Sequence, residues 1–196
     1  MYRTLFFALA LLAGSNLLAQ ESICRVITTE RDTIEGVLVQ IDKNLIIADI
    51  RNEEARMAFH PKEVLEYAVF VPREEPTHYQ FVTDPETDEL KPMRRQVDGP
   101  MKLYVDRENF SSRVNRGLPK GASVVPKVDV YYIGGYSDDV DKVNSHNWKT
   151  VLRHRLSDCP DLAEKIGSKG YKFRHLESII IAYNICLERR SSEVRN

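Results

Sequence analysis

The sequence predicts an α+β protein: an N-terminal antiparallel β meander or small barrel, further β strands in the middle, and a C-terminal three-helix cap. Two observations carry that reading. Short β-branched and aromatic runs separated by polar turns fill the first part of the chain after its leader. Apolar residues at helical spacing are concentrated after residue 144.

The leader comes first. Arg3 precedes the apolar run Leu5–Ala13, a polar break at Gly14-Ser15-Asn16, and Leu17-Leu18-Ala19-Gln20. This is the layout of a signal peptide over residues 1–19, with cleavage between Ala19 and Gln20. The apolar core is far short of the roughly 20 residues a spanning helix needs. Cys24 follows Glu21-Ser22-Ile23, a poor context for lipidation. The expected location is therefore the periplasm or the exterior, in association with the outer membrane or free of it.

Without residues 1–19 the chain keeps 27 basic and 29 acidic residues, because only Arg3 is lost from the 28. Such a balance leaves no polyanion footprint, so no nucleic-acid partner is expected. No later stretch is long and apolar enough to span a membrane.

Residues 20–72 form the first unit. Strands are expected at Ile23–Thr28, Thr33–Ile41, Leu45–Ile50, Ala55–Phe59 and Glu66–Val71, with Pro61–Val64 as a helical turn. Gly36 inside the second strand suggests a bulge or a sharp bend. This order of a bent second strand, a polar turn and an apolar third strand resembles a Sm-like small barrel. Such barrels often bind RNA, which export and charge make a poor expectation here.

Residues 73–144 follow, with strands at His78–Val82, Met101–Val105 and Val128–Ile133 and a long polar loop at 109–127. The four charges Arg113, Arg116, Lys120 and Lys127 within that loop are all basic, which suits either a solvated excursion or contact with an anionic envelope partner. Ser137–Asn144 is acidic, but Val143 stands where a calcium loop needs a ligand, so it reads as a solvated turn.

The cap covers 145–190, and 191–196 reads as a disordered tail. Asn144 or Ser145 caps a helix with Trp148, Val151, Leu152 and Leu156 on one face. A second helix starts near Asp158–Pro160, with Asp161 and Glu164 early in it, and Gly167 and Gly170 stop it. A third runs from Phe173 to Arg189 with Leu176, Ile179, Ile180, Tyr183 and Leu187 on one face.

Cys159 and Cys186 fall near the start of one helix and late in the next, so antiparallel helices place both at one end. In an oxidising compartment this suits a disulfide. Three reduced thiols, or a bridge that uses Cys24, remain alternatives from the sequence.

The histidines carry no metal spacing, and there is no nucleophile elbow or phosphate loop. No catalytic, cofactor-binding or metal residue is assigned, and no cofactor is expected. Asp32-Thr33-Ile34 resembles a short acceptor motif for O-glycosylation at Thr33, against a plain turn role that Asp also favours.

Several landmarks together resemble a group of uncharacterised secreted proteins of the Bacteroidota. They are Asp32–Gly36, Pro61–Val64, Asp98-Gly99-Pro100-Met101-Lys102-Leu103-Tyr104, Tyr131–Ile133, Asp158-Cys159-Pro160 and Tyr183-Asn184. Some members of the group continue into a C-terminal outer-membrane barrel, for which this chain has no strands after the helices. The resemblance implies an envelope location and a non-enzymatic role: a module that binds a protein or glycan partner, or a structural one. The competing expectation is a thiol-dependent or hydrolytic periplasmic enzyme with its site near Cys159.

Overall fold

The computed structural model describes residues 22–41, 44–52, 54–106, 130–135 and 139–193. Five strands open the chain: β1 (Ile23–Thr28), β2 (Thr33–Ile41), β3 (Leu45–Ala48), β4 (Arg56–Phe59) and β5 (Val64–Phe70). Five more follow: β6 (Thr77–Thr83), β7 (Leu90–Val97), β8 (Lys102–Asp106), β9 (Val130–Gly134) and β10 (Val140–Val143). The helices are α1 (Trp148–Arg155), α2 (Pro160–Lys165) and α3 (Leu176–Glu193). A 3-10 turn at Pro61–Glu63 precedes β5, and another at Phe173–His175 leads into α3.

The ten strands of the described residues belong to one antiparallel sheet in the order β10-β9-β8-β7-β6-β5-β1-β2-β3-β4. The α+β class, the β meander and the helical end are therefore present. The small barrel is not. Pairing of β5 with β1 is what a closing five-stranded barrel would use, but β6 occupies the second edge of β5. That leaves β4, among the described residues, bonded to β3 alone at the edge of the sheet.

The sheet does curl strongly. Leu45 and Ile47 on β3 share a buried cluster with Phe81 on β6, four places away in the sheet. Cys24, Val26, Val64 and Tyr67 complete it, and Tyr67 stacks on Tyr79 at 5.0 Å between ring centroids. Burying such side chains contributes about 1.5–3 kcal/mol each.

Gly36 does not carry a bulge. A Cβ at that position would fall 2.4 Å from the Ala48 carbonyl oxygen, so only glycine lets β2 approach β3 so closely. The register irregularity in this strand pair lies further on, between Leu38 and Gln40.

Two strands escaped sequence reading. β7 carries Pro92, which argues against a central strand. Pro92 pairs with Phe81 on β6, and among the described residues the pairing of β7 with β8 begins at Arg94, so the proline lies outside that described ladder. β10 lies in the acidic stretch read as a turn; Arg155 Nε binds Asp141 Oδ2 at 2.5 Å and its Nη2 binds Asp139 Oδ2 at 3.0 Å. With those charges paired, Val140 and Val143 are free to serve strand packing.

The cap packs on one face of the C-terminal strands. Its core joins Leu103 and Ile133 from the sheet to Trp148, Leu152, Leu156, Leu176, Ile179 and Ile180 from the helices. The predicted apolar faces of α1 and α3 are thus the buried ones. The cap residue of α1 is Asn147 rather than Asn144 or Ser145. Asn144 instead accepts the amides of His146 and Asn147 through Oδ1, a local turn that leads into the helix. α3 continues through Glu193, so residues 191–193 of the expected tail are helical.

Candidate functional site

The strand registers divide the side chains of β6 to β10 between two faces. Leu103, Val105, Ile133 and Val143 point to the helical cap or its row, while Gln80, Val82, Met93, Tyr104, Tyr132 and Val140 point the other way. No helix covers this second face among the described residues.

Polar groups on this face are tied in pairs. The Tyr104 hydroxyl donates to Gln80 Oε1 at 2.8 Å. Burial pushes the Tyr104 phenol up to about 12, so it stays a hydroxyl donor at any physiological pH. Arg95 binds Glu66 at 2.6 Å and lies 3.6 Å from Asp98.

At the β6–β7 end, buried Asp84 accepts from Lys91 at 2.5 Å, from the Glu86 amide at 2.9 Å and from the Tyr132 hydroxyl at 3.2 Å. Burial alone would raise this carboxyl. The Lys91 and Glu86 hydrogen bonds and the charges of Lys91 and Lys142 outweigh it and hold Asp84 below the usual carboxylate range. The Tyr132 phenol is raised, by burial first and then by the Asp84 charge.

A cleft of about 630 Å3 opens among these elements. Thr29, Pro61 and Lys62 line it from the β1–β2 turn and the 3-10 turn before β5, and Gly99 and Pro100 from the β7–β8 turn. Gln80, Val82, Lys102, Tyr104 and Gly134 come from the strands. Its described lining contains hydroxyls, an amide and two ammonium groups, which suits binding through hydrogen bonds and charge. It contains no histidine, cysteine or carboxylate to act as nucleophile or base.

Of the residues singled out from sequence, Cys159 and Cys186 are brought together. They form a disulfide with Cα atoms 6.5 Å apart across 27 residues. A bridge to Cys24 is thereby excluded: Cys24 is fully buried on β1, and burial raises its thiol to about 12. Thr33 is exposed at the first position of β2, where the Asp32 amide donates back to Thr28 Oγ1. Ala19, Gln20, Arg113, Arg116, Lys120 and Lys127 lie outside the described residues. No grouping of His, Cys, Asp and Glu fit to hold a metal occurs among the described residues, and no described helix is long and apolar enough to cross a membrane.

Sequence reasoning missed a buried joint between cap and sheet. Asn184 on α3 accepts the Met101 amide at 2.9 Å and donates to the carbonyls of Met101 at 2.9 Å and Asp98 at 3.1 Å. Gly99 lies against it with φ +130°, and a Cβ there would fall 2.5 Å from Asn184 Nδ2. The signal was present as two landmarks, Asp98-Gly99-Pro100-Met101 and Tyr183-Asn184, but their meeting needs the fold.

The chain matches no protein-family model, no curated protein and no solved structure.

Proposed function

We infer that this chain is an exported, non-catalytic module of the cell envelope that binds a protein or glycan partner on the sheet face opposite its helical cap. The observation that carries the reading is the division of labour between the two faces. One is closed by helices and stapled by Cys159–Cys186; the other holds a cleft of binding groups. Disulfides persist in oxidising compartments, which supports export alongside the leader at 1–19. The same bridge removes the free thiol that an enzyme centred on Cys159 would need. Exposed Thr33 is accessible for the glycosylation its motif suggests.

In-cell photocrosslinking tests this reading. A photoreactive residue is placed at Lys102 beside the cleft, or at exposed Ile181 on the outer surface of α3. The reading predicts a discrete adduct from the Lys102 position in the envelope fraction and none from Ile181. Adducts from Ile181 alone, or protein confined to the cytoplasm, contradict it.

A further inference from the structure

The charge of the cleft runs against that of the chain. The protein carries 29 acidic and 28 basic residues, yet the described lining of the cleft has Lys62 and Lys102 and no carboxylate. Several neighbouring acids are committed elsewhere: Glu66 and Asp98 to Arg95, Asp84 to Lys91, and Glu86 to Lys142, while exposed Glu63 beside Lys62 accepts the His60 amide. Lys62 and Lys102 have no ion-pair partner among the described residues. Lys102 is half-buried, so an anion meeting it is screened less than on open surface.

The remaining polar groups suit hydroxyls. Tyr104 gives its proton to Gln80 Oε1, which leaves the Gln80 amide NH2 to donate and the Tyr104 oxygen to accept. Thr29 and Thr83 add hydroxyls to the lining. A peptide cannot dock here by adding a strand, because β6, β8 and β9 already have a neighbour on each side. The volume, about 630 Å3, lies within the roughly 300–1,000 Å3 of small-ligand sites.

We propose that the cleft binds an acidic sugar, with a uronic-acid carboxylate met by Lys62 and Lys102 and ring hydroxyls by Gln80 and Tyr104. This rests on the binding-module reading above and names its ligand class.

The test is calorimetric titration of the full chain, disulfide intact, with trigalacturonate, its methyl ester and triglutamate. The acid form binds, and the neutral ester and the peptide bind at least tenfold more weakly. Lys62→Gln and Lys102→Gln each weaken trigalacturonate by about tenfold, the scale of one charge-assisted hydrogen bond, with unchanged melting temperature. Absence of binding, equal binding of acid and ester, triglutamate binding as tightly as the sugar, or lysine variants that bind like wild type each overturn the proposal. None of these touches the crosslinking result. Chromatography of the recovered trisaccharide separates the two readings from the other side: cleavage sinks the non-catalytic reading and leaves the ligand class standing.

Discussion

At Asn184 one side chain satisfies three backbone groups of the β7–β8 turn, and two of those bonds are buried. Asn184→Ala leaves the Met101 amide and carbonyl without partners. The expected loss is about 3 kcal/mol, or a Tm fall on the order of 10 °C, read by thermal unfolding. Gly99→Ala costs about 1–3 kcal/mol through its left-handed backbone and the contact with Asn184. In the Asn184→Ala background that cost shrinks but does not vanish, because the contact goes while the backbone strain stays. Strictly additive losses in a double-mutant cycle contradict this joint. Asp84 makes a second prediction. Its folded carboxyl titrates below the unfolded value near 3.9, so its stabilisation is complete above about pH 4 and is lost as pH falls through the lower folded value. Urea unfolding across that window has a shallower acid limb in Asp84→Asn; an unchanged limb counts against the Lys91–Asp84–Tyr132 network. Neither role was legible from sequence, since Asn184 contacts residues more than 80 positions away and Asp84 reads as one more charge before a turn.

At the scale of elements, local chemistry was the better guide. The apolar spacing of Trp148, Leu152 and Leu156, and of Leu176, Ile179, Ile180 and Tyr183, identifies the faces that the cap buries. β1 and β2 were legible because β-branched residues alternate between polar turns. β7 and β10 were not, because Pro92 and the run of aspartates oppose strand formation by rules that hold only without tertiary partners. Phe81 opposite Pro92, and Arg155 beside Asp139 and Asp141, are those partners. The barrel reading failed for a similar reason: local pattern encodes the curl, but which strand takes the free edge of β5 is settled by the whole chain. The disulfide joins the start of α2 to the later turns of α3 and closes a 27-residue separation, worth about 3 kcal/mol in the chain-entropy model. Cys159→Ala/Cys186→Ala should lower the urea midpoint accordingly. An unchanged midpoint means the cap holds without its staple.

At the scale of the molecule, one sheet carries three buried clusters among the described residues. The curl of β1–β6 encloses the first around Tyr67, and the helices close the second over β7–β10. The opposite face of the C-terminal strands buries the third, Val82, Met93, Tyr104 and Tyr132, and carries the cleft beside it. The near-even charge balance is read directly from the sequence, and the leader at 1–19 is the sequence ground on which the envelope proposal stands. The cleft was not, because Lys62, Gln80 and Lys102 come together only through strand register. The proposed export places the chain outside the cytoplasm with its cap stapled and Cys24 sealed in the core. Its most direct test is unreduced mass analysis and peptide mapping of protein recovered from cells after native alkylation. The expected result is a chain beginning at Gln20, a linked Cys159–Cys186 peptide pair, and Cys24 alkylated only after unfolding. A chain that retains residues 1–19 and shows free, alkylated Cys159 and Cys186 would contradict it.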